Sequence, residues 1–131
     1  MSLSIGESQT VRIEARNPQN HTGLRLDAGQ RVRFTATGIW EDNGMPSGPD
    51  GNPNPPGYFR LAAWIRPLRH NRWFVLGGDV GGEKFAIGSG IERTIGRSGE
   101  LICFANDVRF ITRFFYGNNS GHVTLTVSRL A

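Results

Sequence analysis

The sequence predicts an all-β protein, a jelly-roll β-sandwich of about eight strands. Three observations lead there. No long segment carries a helical period. Apolar residues instead alternate with polar ones over short runs, the period at which a strand turns one face to a core and the other to water. Clusters of glycine, asparagine and proline separate the runs, and glycine alone supplies 18 of the 131 residues.

The elements follow in order. Val11, Ile13 and Ala15 alternate with Arg12, Glu14 and Arg16, a first strand with one wet face, broken by Asn17-Pro18-Gln19-Asn20. Leu24 and Leu26 make a short second run, closed by Asp27-Ala28-Gly29. Val32, Phe34 and Ala36 face one way and Arg31, Arg33, Thr35 and Thr37 the other, the clearest amphipathic strand in the chain. Glu41 to Gly57 reads as a long irregular loop whose five prolines forbid a regular ladder and lower the entropy lost on ordering. A loop of this length in a compact domain is commonly functional. It is expected to fold over a later polar loop and to wall a shallow site.

Leu61, Ala63 and Ile65 alternate with Arg60, Ala62, Trp64 and Arg66 in a further strand, and a turn follows over Pro67 to Asn71. Trp73-Phe74-Val75-Leu76 is a near-continuous apolar run, as in a central strand, and Gly77 to Gly82 reads as a glycine hairpin. The latter lacks the Gly-Lys-Ser/Thr of a phosphate loop. Phe85 to Gly88 and Ile91 to Ile95 are short strands, and Ser98-Gly99-Glu100 turns into the strand of Leu101 to Ala105. His122 to Val127 closes the chain with clean alternation.

Length predicts one domain over residues 1–131 with a single core. No apolar run approaches the ~20 residues that cross a bilayer, so no membrane insertion is expected. The start Met-Ser-Leu-Ser-Ile-Gly lacks a charged-then-apolar signal pattern. The expected location is the cytoplasm, or release without a signal peptide. Cys103, the one cysteine, lies in an apolar strand and reads as a small core residue. The net charge of +4 comes almost wholly from arginine. Apart from Arg66, Arg69, His70 and Arg72 the arginines are scattered, the pattern of a solvated or subunit-contact surface, and no nucleic acid partner is expected.

The residues give catalysis little support. No Gly-x-Ser-x-Gly elbow surrounds a serine, and the three histidines sit in or beside polar turns. No pair of the 11 acids stands out for glycoside hydrolysis, and no His, Cys and acid cluster has zinc spacing. A binding module is the expected class.

The informative stretch runs from Asn106-Asp107-Val108 to Gly117-Asn118-Asn119-Ser120-Gly121. One carboxylate and three side-chain amides (Asn106, Asp107, Asn118, Asn119) gather on a loop between two strands. Oxygen ligands of low total charge suit a hard cation such as Ca²⁺. Asn and Gly also tolerate positive φ, and on spacing alone Gly-Asn-Asn-Ser-Gly reads first as a plain turn. Asp42, Asn43, Asp50 and Asn52 in the first loop lack EF-hand spacing and, as side chains, read as turn formers.

A strand ending in Asn-Asp-Val, then Tyr116-Gly-Asn-Asn-Ser-Gly and a closing strand, resembles the PA-I galactophilic lectin family, small bacterial β-sandwiches that bind galactosides through a bridging Ca²⁺. Arg31 to Gly51, with Ala36-Thr37-Gly38 and Gly48-Pro49-Asp50-Gly51, resembles that family's strand into its first binding loop. The resemblance implies a galactose-binding domain-like fold and a homodimer or homotetramer. It implies Asp107, Asn118 and Asn119 as side-chain calcium ligands. Phe115, and either Asp42 or Asn43, would add backbone carbonyls. It implies sugar contacts from Asp107, Val108 and Asn118. Pro55 and Tyr58 stand where the family places sugar-contacting polar side chains. The segment from Asp107 to Asn118 is longer than the family's, with Arg109-Phe110-Ile111-Thr112-Arg113 as the extra material. Tyr58, Trp40 or Tyr116 would offer an apolar platform for a sugar face, or else sit in the core. The competing class is a non-catalytic β-sandwich for protein association, in which the loop holds no metal.

Overall fold

The computed structural model describes residues 1–42, 44–52, 67–68, 71–107 and 119–131. These residues contain nine strands: β1 (Ser8–Glu14), β2 (Asn20–Leu26), β3 (Arg31–Asp42), β4 (Met45–Ser47), β5 (Leu76–Val80), β6 (Glu83–Ala86), β7 (Gly90–Thr94), β8 (Gly99–Ala105) and β9 (Asn119–Arg129). No helix occurs among the described residues. The all-β sandwich expected from the sequence is the fold found.

Two antiparallel sheets face each other. One runs β1-β9-β3-β4, with β7 also on β3; the other runs β2-β8-β5-β6. Strand β3 is the spine of the first sheet. It pairs with β9 from Val32↔Arg129 to Asp42↔Asn119. Its other edge holds β7 along Arg31 to Thr35 and β4 along Trp40 to Asp42. Alternation in the sequence fixes which side faces inward: Val32, Phe34 and Trp40 of β3 and Val123, Leu125 and Val127 of β9 are buried. They meet Leu24 and Leu26 of β2, Leu76 of β5 and Leu101 and Cys103 of β8 in one core. Phe34 and Phe85 touch with ring centroids 5.6 Å apart, one contact between the sheets. Burial drives the Cys103 thiol far above its ordinary pKa, so it stays a neutral core group.

Three sequence expectations are corrected. The apolar run Trp73 to Leu76 is not a strand; β5 begins only at Leu76. Phe74 takes a left-handed φ of 66°, costly for an aromatic residue, and the chain turns there. Two contacts offset the strain: the Phe74 ring packs edge-on against Trp40 at 5.4 Å, and its N–H donates to the Asn106 carbonyl at 2.9 Å.

The glycine run is mostly strand. Gly77 and Gly78 lie inside β5, and the turn is confined to Gly81-Gly82. A Cβ at Gly77 would stand 2.6 Å from the ring of Phe104, so glycine there makes room for an aromatic side chain of the neighbouring strand.

The proline-rich loop starts later than expected. Glu41 and Asp42 finish β3, and Met45–Ser47 pair back on it as β4. Pro46 is tolerated because β4 is a sheet edge. The strand expected over Tyr58 to Arg66, with Trp64, lies outside the described residues.

Candidate functional site

Where β3 and β9 meet at one end of the sandwich, their last pair is Asp42 opposite Asn119. Period-two alternation carries the inward face of β3 from Phe34 through Trp40 to Asp42, so a carboxylate arrives where a core side chain would be expected. Asp42 is 8% exposed and Asn119 2%. The Asp42 Oδ2 accepts a hydrogen bond from the Trp73 indole N–H at 3.1 Å. Burial raises the Asp42 pKa, and the Trp73 bond opposes the rise only in part. Among the described residues no arginine, lysine or histidine pairs with this carboxylate.

Asn119 is held from the other side. Its Nδ2 donates to the Ala15 carbonyl at 3.0 Å, beyond the end of β1. Its Oδ1 is buried with no hydrogen-bond partner among the described residues. An amide oxygen in that state costs on the order of 1–3 kcal/mol unless something donates to it or ligates it.

Asp107, directly after β8, is 1% exposed, and its own N–H donates to the Ala105 carbonyl at 2.8 Å. A chain of contacts joins this end of β8 to the Asp42–Asn119 pair. The Asn106 N–H donates to Val75, the Phe74 N–H donates to Asn106, and Trp73 grips Asp42. Segment 73–75 thus stitches the exits of the two sheets together. Residues 48–52 lie on the same segment: Asn52 donates from its backbone to Trp73 at 2.8 Å and Leu76 donates to Pro49 at 2.8 Å.

Of the residues singled out from sequence, Asp42, Asn119 and Asp107 are described and buried. Asn43, Pro55, Tyr58, Val108, Phe115, Tyr116 and Asn118 lie outside the described residues, as does the insert Arg109 to Arg113. Three others have structural roles. Asn106 spends its side chain on Leu68 and Arg72 backbone groups. The Asp50 Oδ1 accepts the Ser89 N–H at 2.7 Å, a turn-forming role. Trp40 is completely buried, so it belongs to the core and offers no platform to a sugar.

Sequence reading missed Trp73 as a partner of this site. Its one signal was an indole donor in an otherwise purely apolar run. Among the described residues no three His, Cys, Asp or Glu side chains gather. A cation here would therefore depend on amide and backbone oxygens beside its carboxylates, a donor set of hard-cation type.

No family model matches the sequence, and no curated protein matches it. Among solved structures, one titled "EclA N-terminal domain; PllA-like lectin" is similar, with a TM-score of 0.69 and 22% sequence identity over 92% of this chain and 94% of that one. At this identity the likeness establishes the fold. The chain has the two-sheet β-sandwich architecture of that lectin domain.

Proposed function

We propose that this protein is a non-catalytic, calcium-dependent carbohydrate-binding module for galactoside-type glycans. The observation that carries the reading is Asn119 Oδ1, buried and without a partner among the described residues at the start of β9, where a calcium ligand is expected. The lectin fold of the similar structure supports the same class. Asp107, Asn118 and Asn119 would hold the ion with side-chain oxygens, and Phe115 with Asp42 or Asn43 would add carbonyls. A bound Ca²⁺, which takes 6–8 oxygen ligands, supplies two positions for vicinal sugar hydroxyls. Asp107 would accept a hydrogen bond from a sugar hydroxyl and Asn118 would donate to a hydroxyl oxygen, while Val108, Pro55 and Tyr58 would contact the ring. Single lectin sites are weak, and a homodimer or homotetramer would supply avidity.

Calorimetric titration of EDTA-treated protein with Ca²⁺, then with galactosides with and without the metal, tests this. Saturable calcium uptake and metal-dependent sugar binding are expected. Calcium without sugar would leave a structural ion beside a pocket altered at Pro55 and Tyr58. Absence of calcium uptake would return the chain to the protein-association class.

A further inference from the structure

We propose that the carboxylate of Asp42, and not merely a main-chain carbonyl of Asp42 or Asn43, ligates the cation of this site, and that Trp73 is the residue that positions it. The inference rests on the calcium reading above and gives that site a second anionic side chain.

A carboxylate withdrawn from water is paired, protonated or bound to a metal, because neutral surroundings do not replace its hydration. Asp42 is 8% exposed, and its one hydrogen bond to a described residue comes from a neutral indole. Directly across the β3–β9 ladder stands Asn119, whose buried Oδ1 has no donor among the described residues. Two buried oxygen-bearing side chains thus share the last pair of one ladder, and among the described residues neither has a cationic partner. Such a pair repels in the absence of an ion and is satisfied by one hard cation between them.

The indole makes the arrangement specific. An N–H bond from Trp73 occupies Oδ2 and restrains the carboxylate plane, and Oδ1 has no hydrogen-bond partner among the described residues. Trp73 is itself enclosed: it is 3% exposed, its carbonyl accepts from Asn52, and the next residue carries the left-handed turn. A turn at Phe74 is what directs the indole to Asp42 while the Phe74 ring enters the core. The strained conformation thereby acquires a role in the site.

Terbium is the probe. Tb³⁺ is an oxygen-seeking ion close to Ca²⁺ in size, and it emits when an excited indole lies nearby. The wild-type protein should take up Tb³⁺ saturably, release it to Ca²⁺ and emit on indole excitation. Asp42→Asn keeps an oxygen for the Trp73 bond but removes the charge. It should fold normally by circular dichroism and lose roughly tenfold or more in affinity for both ions. Trp73→Phe should lose roughly tenfold in Ca²⁺ affinity and show weaker indole-sensitised emission, with direct terbium excitation unchanged at saturation. Unaltered affinity in Asp42→Asn would overturn this inference and leave the calcium reading standing. A wild-type protein that takes up neither ion would overturn both.

Discussion

The side-chain amide of Asn106 pairs with both backbone groups of Leu68. Its Oδ1 accepts the Leu68 N–H at 2.9 Å, and its Nδ2 donates to the Leu68 carbonyl at 2.9 Å and to the Arg72 carbonyl at 3.0 Å. Asn106 is completely buried, so these bonds are made away from competing water. A residue whose type suggested a metal ligand is instead the clip that fastens Leu68 and Arg72 to the end of β8.

Asn106→Ala should therefore destabilise the fold by about 3 kcal/mol, because it leaves buried backbone groups unpaired. Asn106→Asp should cost at least as much, since a carboxylate cannot donate to the two carbonyls. Urea denaturation of the metal-free proteins checks both. A shift in the midpoint too small to measure would mean that the clip carries no stability.

Gly77→Ala tests the packing of β5. Its methyl would enter the space of the Phe104 ring, 2.6 Å away, and overpacking of this kind costs about 1–3 kcal/mol. Thermal unfolding should show a clear loss in Gly77→Ala. In the double variant with Phe104→Leu much of the stability should return.

Calcium itself should stabilise the protein. A ligand that binds only the folded chain adds about 2.7 kcal/mol at a hundred times its dissociation constant. Unfolding temperature should rise with Ca²⁺ concentration in the wild type and much less in Asp107→Ala. An unfolding temperature independent of Ca²⁺ would contradict the proposed site.

The metal-free protein should show a pH dependence traceable to Asp42. Its folded pKa is raised, chiefly by burial, so the folded state holds this proton more tightly than the unfolded chain does. The resulting stability is fully present below the unfolded carboxylate pKa and is lost as pH rises through the folded one. Asp42→Asn, neutral throughout, should in EDTA be more stable than the wild type at neutral pH and should lack this decline. An equal or lower stability would mean that the buried charge has a partner beyond Trp73.

Glu92 and Glu100 act in the opposite sense. A hydrogen bond from Arg33 lowers the Glu92 pKa, and one from His21 lowers that of Glu100. Their contributions are present above the ordinary glutamate value of 4.5 and fade as pH falls through the folded values. Both carboxylates are exposed, so the effect is small and screened by salt. Glu92→Gln should slightly flatten the acid limb of the stability curve at low ionic strength, and added salt should erase the difference.

The half-wet strands were legible in the sequence alone. Val11 and Ile13, Val32 and Phe34, and Val123 and Leu125 each alternate with polar residues, and a period of two leaves one choice of inner face. The all-β class and the core place of Cys103 follow from the same pattern. Strand β5 was not legible. It is buried on both faces, and its glycines answer to the rings of Phe104 and Phe85 on other strands, a constraint that no local pattern records.

The same division holds at the site. Residue chemistry pointed to Asp107 and Asn119 as oxygen donors, because carboxylates and amides on a loop are ready ligands for a hard cation. Only the tertiary structure revealed that Asp42 is a buried carboxylate facing Asn119. Only there does Trp73, 31 residues further along the chain, emerge as its hydrogen-bond donor. Side-chain type is a local property. Burial and partnership arise from strands that meet across long sequence separations, and they decide whether an aspartate near a turn is a solvated loop residue or a charge held ready for an ion.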